Sequence, residues 1–277
     1  MEAPRTCYRH PDRETGLSCS ECGRPICYEC MTPAPVGLRC PDHSGKPQGI
    51  RKVTQAATRT STGFGSQYRN GVTLALIAIN VGVVVVELGI NGSFANNNVF
   101  LKGVLWGPFV ADGDWWRLVT AMFLHANFLH IAVNMWSLYI VGTILEQAIG
   151  RWRFLLLYLV SGIAGSAGAL VWSPTQPTVG ASGAIFGILG ALFILERRGS
   201  IQTGGQVAGM IVLNLVITFV FSSYISVGGH VGGLIGGVAL MWMMLHLRRS
   251  NWAILGSGAA IVAISVLIAY AKVRNLQ

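Results

Sequence analysis

Charged residues are scarce in this chain. Asp, Glu, Lys and Arg make up 11% of its 277 residues, whereas hydrophobic residues make up 52% and the mean hydropathy is +0.53. Soluble domains carry about 25% charged residues, so this composition excludes a soluble globular domain and predicts an integral membrane protein. Residues 1–7 also lack an apolar stretch. We therefore expect no cleavable secretory signal and a cytoplasmic N-terminus.

Acidic residues are fewer than basic ones, 11 against 20, which gives a net charge of +9. Such an excess can indicate a nucleic-acid partner. However, ten of the twenty Lys and Arg residues precede residue 71, and the other ten lie between hydrophobic runs. This arrangement is typical of membrane topology, so we expect no nucleic-acid partner.

Hydrophobic runs fill the chain from Val72 onward. They are long enough to cross a hydrocarbon core of about 30 Å. The sequence therefore predicts an all-α polytopic membrane protein with seven transmembrane helices. The runs are 72–90, 119–146, 153–172, 182–196, 206–222, 226–246 and 252–271. Glycines three and four residues apart in the run 226–246 predict that this helix packs closely against a neighbour.

Arginine pairs in the loops indicate the orientation of these helices. Arginines at 151 and 153, at 197 and 198, and at 248 and 249 fall in every second loop. Positive residues accumulate on the cytoplasmic side, so the N-terminus is predicted inside and Gln277 outside. We expect an integral multi-pass protein of the cell membrane, in contact with its lipid.

Five polar residues stand in or at the edge of the apolar segments: His125, His130, Asn134, Ser182 and His230. An unpaired polar group there costs several kcal/mol, so these side chains need partners. Measured from the cytoplasmic ends of their helices, His130, Ser182 and His230 lie at depths of roughly 24, 21 and 24 Å. Asn134 lies one turn below His130 on the same face. The sequence therefore predicts one site just under the outer surface.

The residue types at this site suit acyl transfer. Ser182 is the candidate nucleophile and His230 the candidate base. Donors for an oxyanion are available from His130, Asn134 and the Ser182 backbone N–H. No carboxylate is expected at this depth to orient His230, so a dyad is predicted in place of a triad.

Four sequence segments resemble motifs of the rhomboid proteases. They are Gly-Ala-Ser-Gly at 180–183, Gly-His-Val-Gly-Gly-Leu-Ile-Gly at 229–236, the His-x4-His-x3-Asn pattern at 125–134, and Trp-Arg at 116–117. The resemblance implies a six-helix rhomboid core within 71–250 and an additional helix and tail at 251–277. It implies an intramembrane serine endopeptidase that cleaves transmembrane protein substrates in or near their membrane segments, with no catalytic metal or cofactor.

The resemblance has two further consequences. It implies that 91–118 is a structured loop lying partly in the outer leaflet. It also shows a departure, because Phe186 stands where many family members carry a Tyr that stacks on the catalytic His.

All six cysteines lie before residue 41, in pairs that predict two structural zinc sites. Each Cys-x2-Cys or Cys-x2-His pair delivers two ligands to one tetrahedral metal. The eight predicted ligands are Cys7, His10, Cys19, Cys22, Cys27, Cys30, Cys40 and His43. The segment 1–45 resembles B-box-like fingers, which implies that alternate pairs share a metal; sequential pairing is the alternative. We expect this domain to be cytoplasmic, to recruit a protein partner or act as a stabilising cap, and to be followed by a flexible linker at 46–70.

Three other functions compete with the protease. A catalytically inactive adaptor would bind transmembrane helices through the same cavity. A small-solute transporter would also need polar residues at depth, but no matching pair of broken helices occurs in the two halves. A metalloprotease is disfavoured because no His-Glu-x-x-His pattern occurs.

Overall fold

The structure is a computed structural model that describes residues 5–34, 37–44, 70–94, 97–201, 203–247 and 250–276. The chain forms two compact units, Met1–Tyr68 and Arg69–Gln277. The predicted linker at 46–70 lies, apart from residue 70, outside the described residues.

The N-terminal unit contains two small antiparallel ribbons and one short helix. Strand β1 (Thr6–Cys7) pairs with β2 (His10–Glu14), β3 (Thr32–Pro33) pairs with β4 (Leu38–Arg39), and α1 covers Pro41–Ser44. Its core consists mainly of cysteine side chains together with Ile26 and Met31. An apolar core this small does not hold a fold by itself, so the unit needs cross-links through its cysteines.

The described part of the second unit is built mainly from helices. Its elements are α2 (Gly71–Asn91), α3 (Asn98–Gly103), α4 (Gly107–Ala111), α5 (Arg117–Thr120), a 3-10 turn (Ala121–Phe123), α6 (Phe128–Ser137), a π turn (Leu138–Gly142), α7 (Thr143–Ile149), α8 (Arg151–Trp172), α9 (Ser182–Arg197), α10 (Gln206–Val220), α11 (Val227–His246) and α12 (Asn251–Val273). Each of the seven predicted runs corresponds to one helix of 15 residues or more, since α6, the π turn and α7 are continuous. The predicted all-α membrane fold, with a seventh helix after the core, is confirmed.

Length separates these helices into two groups. Five are long and apolar enough to cross a membrane: Gly71–Ile90, Phe128–Ile149, Arg151–Trp172, Val227–His246 and Asn251–Val273. Helices α9 and α10 are shorter, at 16 and 15 residues. The protein is therefore an integral multi-pass membrane protein.

The predicted second span, 119–146, was wrong at its start. The helix begins at Phe128, after the Asn127 side chain accepts a hydrogen bond from the His130 N–H. The preceding apolar residues belong to α5, the 3-10 turn and an extended residue, Leu124. Met122 and Leu124 are apolar because they are buried within the protein. Residues buried within the protein and residues exposed to lipid are both apolar. Adjacent in the sequence, they therefore form one continuous hydrophobic run.

The segment between α2 and α6 is structured around Arg117, which is 5% exposed. Its guanidinium donates to the carbonyl oxygens of Leu101 and Val104 and pairs with the Asp114 carboxylate at 2.7 Å. These bonds join Arg117 on α5 to the end of α3 and to the turn that directly precedes α5. The prediction of a structured loop is confirmed for this described part.

Glycine backbones bring α8, α9 and α11 together. A Cβ on Gly233 of α11 would lie within 3.0 Å of backbone atoms of Gly183 on α9, and one on Gly232 would meet the backbone of Gly168 on α8 at 3.0 Å. The close packing predicted for the helix at 226–246 is confirmed. This contact fixes the distance between the helices that carry Ser182 and His230.

Glu146 on α7 caps the first long helix. Its buried carboxylate accepts hydrogen bonds from the N–H groups of Val72 and Thr73, at 3.0 and 2.8 Å, and from the Thr73 hydroxyl at 2.7 Å. The first N–H groups of a helix have no partner within the helix, and a negative charge there also favours its dipole. Glu146 thus anchors the start of α2 to α7.

Candidate active site

Ser182 is the first residue of α9 and is half-buried. The chain enters this helix through an irregular segment held by two hydrogen bonds between Leu105 and Thr178 and by the Gly180 N–H, which donates to the Ala121 carbonyl at 2.9 Å. Gly180 has a φ of +123°, a conformation that side chains rarely allow. The segment therefore fixes Ser182 at a helix start, where backbone N–H groups are uncommitted.

His230 lies in the first turns of α11 and is 8% exposed. Its imidazole stacks on the Phe186 ring, with centroids 4.2 Å apart and planes inclined by 22°. Phe186 follows Ser182 by one helical turn, so the stack holds His230 against the helix that carries the serine. In the part of the chain that the structure describes, no hydrogen bond joins Ser182 to His230. Catalytic hydrogen bonds often shorten only when substrate is bound.

His130 approaches the serine from α6. A Cβ added to Gly180 would lie 2.8 Å from His130 Nε2 and 3.8 Å from Ser182 Oγ, so these two groups flank the glycine. His130 Nδ1 accepts a hydrogen bond from the Ala126 N–H at 3.3 Å. A neutral imidazole that accepts at Nδ1 carries its proton on Nε2. His130 therefore presents a donor toward Gly180, two residues before Ser182.

Asn134 lies one turn after His130 and is buried. Its amide nitrogen donates to the His130 carbonyl at 2.8 Å, which uses one of its two N–H donors. His125 is fully buried, with its ring centroid 5.1 Å from that of His130. The two histidines and Asn134 thus form one group beside the helix start that bears Ser182.

The structure adds Thr218 on α10, which the sequence analysis missed. Its Oγ1 lies 2.7 Å from His230 Nδ1 and 2.7 Å from the carbonyl oxygen of Asn214. Threonine in a membrane helix commonly bonds the carbonyl four residues back. The sequence therefore gave little reason to single it out, and only the fold brings it to His230.

Glycine and serine line the cleft beside the nucleophile. Its walls include Thr178, Gly180, Ser182, Gly183, Ser226 and Gly229. The cleft borders α9 and the start of α11, which are the two helices that carry Ser182 and His230.

The eight predicted zinc ligands lie in two clusters in the N-terminal unit. One contains Cys7, His10, Cys27 and Cys30, and the other contains Cys19, Cys22, Cys40 and His43. The clusters combine alternate pairs along the chain, as the resemblance to B-box-like fingers implied, and not sequential pairs.

Distances between the ligand atoms test whether zinc would fit. A tetrahedral zinc with sulfur and nitrogen ligands places those atoms roughly 3.5 to 3.8 Å apart. His10 Nδ1 lies 3.8, 3.3 and 3.3 Å from the sulfurs of Cys7, Cys27 and Cys30. His43 Nδ1 lies 3.1 Å from Cys40 Sγ and 3.9 Å from Cys19 Sγ. Both clusters can therefore hold a metal ion.

The local backbone also favours thiolates. Burial opposes ionisation of Cys7, but hydrogen bonds from the backbone of Arg9 and Cys27 outweigh it and lower the pKa of the thiol to about 6. Burial likewise opposes ionisation of Cys19, and backbone donors led by Cys22 and Cys40 lower its pKa to about 6. Thiolates are the form that binds zinc.

Taken together, the second unit is a polytopic membrane protein whose serine and histidine occupy facing helices joined by glycine contacts. The rhomboid-domain family model matches residues 112–247, which include every residue of this site. This part of the chain is therefore similar to the rhomboid domain.

Curated relatives agree with this family. The chain is 40% identical over 164 residues to "Rhomboid protease GluP" of Bacillus subtilis (strain 168), covering 56% of this chain and 32% of that protein. It is 41% identical over 119 residues to "Putative rhomboid protease YdcA" of the same organism, covering 42% and 59%. It is 26% identical over 130 residues to "Inactive RHOMBOID-like protein 8" of Arabidopsis thaliana, covering 47% and 37%. The chain thus matches about a third of the length of the first relative and under two thirds of the second.

Proposed function

We propose that this protein is an intramembrane serine endopeptidase that cleaves transmembrane protein substrates in or near their membrane segments. The observation that carries the proposal is the arrangement around Ser182. Phe186, one helical turn after Ser182 on α9, stacks on His230. His130 lies on the other side of Gly180 from Ser182. The two relatives named as rhomboid proteases support the same activity.

The reaction follows from these positions. Ser182 Oγ attacks the carbonyl carbon of the scissile peptide bond while its proton passes to His230 Nε2. The carbonyl oxygen becomes an oxyanion that accepts hydrogen bonds from the Ser182 N–H, His130 Nε2–H and the free Asn134 N–H. The C–N bond then breaks, and the leaving amine takes the proton from His230. Water hydrolyses the acyl-enzyme by the same steps, with His230 again as base.

The protein acts in the cell membrane with its N-terminal unit in the cytoplasm and Gln277 outside. The arginine pairs of alternate loops support this orientation. A protease-accessible tag placed at either end, probed in intact cells, tests it. Cleavage of an N-terminal tag by external protease in sealed cells would contradict it.

The N-terminal unit holds two structural zinc ions and recruits a cytoplasmic protein partner. The fit of both Cys3His clusters to tetrahedral zinc supports the metal sites. Four protein ligands at each metal leave no open position, which favours structure over catalysis. Recruitment is proposed because the unit is compact by itself and has no residue in the candidate active site.

Labelling by a fluorophosphonate serine probe tests the protease proposal. Detergent-solubilised wild type should be labelled, and Ser182→Ala and His230→Ala should not be. Ser265→Ala is the matched control, because the Ser265 hydroxyl donates to the Ile261 carbonyl on α12, outside the site. Absence of labelling in folded wild type, while a known membrane serine protease reacts, would refute the activity.

A catalytically inactive adaptor is the second candidate, favoured by the relative named as inactive. An adaptor would bind transmembrane helices through the same cleft without cutting them. Ser182→Ala would then keep the cellular function of the wild type, whereas the protease proposal requires its loss.

A further inference from the structure

Thr218 on α10 is a polar contact of His230 that lies outside the serine helix. Its hydroxyl sits 2.7 Å from His230 Nδ1, and Thr218 is 1% exposed. Helix α10 is otherwise poorly buried, since Val207 is its only other buried residue. A helix that contributes so little to the core nevertheless buries one hydroxyl against the candidate base.

The protons of this contact can be assigned. The Thr218 hydroxyl carries one proton, and the Asn214 carbonyl, at 2.7 Å, can only accept. The proton therefore lies between Oγ1 and that carbonyl. The remaining bond, also 2.7 Å long, must then be donated by His230 Nδ1–H to a lone pair of Oγ1. This places the lone pair of the imidazole on Nε2, the nitrogen that a general base requires.

We propose that Thr218 is a positioning residue that selects the Nδ1–H tautomer of His230 and fixes the plane of its ring. The proposal rests on the proposed protease function and deepens it. In a catalytic triad, a carboxylate performs this task by accepting from the histidine Nδ1–H. Here a neutral hydroxyl, itself oriented by a helix carbonyl, accepts the same bond.

The structure also explains why a hydroxyl suffices. Phe186 already restrains one face of the imidazole, so the remaining freedom is rotation within the ring plane and the choice of tautomer. A single hydrogen-bond acceptor at Nδ1 stops the in-plane rotation and also selects the tautomer. Loss of that acceptor leaves a buried N–H without a partner, which favours moving the proton to Nε2. A histidine with its proton on Nε2 cannot accept the serine proton.

Thr218→Val and Thr218→Ser separate this role from packing. Valine keeps the branched shape and removes the hydroxyl, whereas serine keeps the hydroxyl. We expect the maximal rate of fluorophosphonate labelling to fall about tenfold in Thr218→Val, at an unchanged half-saturating probe concentration, since one ordinary hydrogen bond is lost. Thr218→Ser should recover most of the rate. Ser265→Ala, which removes a comparable hydroxyl on α12, outside the site, should keep the wild-type rate.

Nitrogen NMR of the full-length protein, labelled with 15N in its histidine rings, measures the tautomer directly. The His230 signals are identified by their absence in His230→Ala. Neutral wild-type and Thr218→Ser protein should show a protonated Nδ1, and Thr218→Val should show a protonated Nε2. A protonated Nε2 in wild type, or Thr218→Val with the wild-type tautomer and rate, would overturn the inference. Folded wild type that shows the Nδ1–H tautomer but no labelling would support the positioning and refute the protease function.

Discussion

Gly233→Ala should sharply reduce the proposed reactivity of Ser182 by separating the helices that carry Ser182 and His230. The new Cβ would meet the carbonyl oxygen, carbonyl carbon and Cα of Gly183, all within 3.0 Å. These are backbone atoms of a buried helix, so no side chain can rotate away to make room. Gly183 directly follows the proposed nucleophile, and Gly233 lies three residues after His230. The helices must therefore move apart at the level of the site.

The size of the effect follows from van der Waals distances. Carbon atoms pack at about 3.5 to 4.0 Å, so α9 and α11 must separate by on the order of 1 Å. A displacement of about 1 Å can cost 10²-fold in rate, and overpacking of a core costs about 1–3 kcal/mol of stability. We expect fluorophosphonate labelling to fall about a hundredfold and the thermal midpoint in detergent to decrease.

Gly256→Ala is the matched control for this substitution. Gly256 lies within a long helix, and a Cβ there meets no atom within 4 Å. Alanine also favours helix over glycine, so labelling and the thermal midpoint should be unchanged or slightly raised. Wild-type labelling and stability in Gly233→Ala would show that the glycine contact does not set the geometry of the site.

Three further predictions concern other parts of the molecule. Gly180→Ala should abolish labelling, because its φ is +123° and a Cβ would lie 2.8 Å from the His130 ring; labelling at the wild-type rate would contradict this. Glu146→Gln should lower the free energy of unfolding by about 2 kcal/mol, because a buried carboxylate that accepts three hydrogen bonds loses its charge; an unchanged thermal midpoint would refute it. Wild type should bind two zinc ions per chain by metal analysis, Cys27→Ser should bind one, and Tyr28→Ala, which alters an exposed side chain, should bind two. Equal zinc content in wild type and Cys27→Ser would contradict that assignment.

Periodic and spacing signals made much of the fold predictable. Seven apolar runs indicated seven helices, and each run contains one. The four Cys-x2 pairs indicated two metal sites because ligand spacing is local in sequence. Whether sequential or alternate pairs share a cluster depends on how the N-terminal unit folds in three dimensions. Spacing alone could not decide this, and the resemblance to a known finger did.

Features that depend on packing were harder to predict. The start of the second helix was placed nine residues too early, because Met122 and Leu124 are as apolar as lipid-facing residues but lie inside the protein. Thr218 was overlooked because its hydroxyl also makes the bond expected of any threonine in a helix. In both cases the residue type also fitted a simpler explanation, a membrane-spanning residue for the first and an ordinary helix threonine for the second. Only the tertiary contacts showed the actual role.

The absence of a carboxylate partner for His230 among the described residues agrees with the physics of a membrane site. An ionised carboxylate carries a desolvation cost of several kcal/mol that a single histidine repays only when it is charged. A stacked Phe186 ring and a Thr218 hydroxyl are neutral, so they hold the imidazole in both its charge states without that cost. Glycine contacts between α9 and α11 then supply the remaining precision through backbone atoms alone. The three restraints involve α9, α10 and α11, so the site forms only when these three helices are packed together.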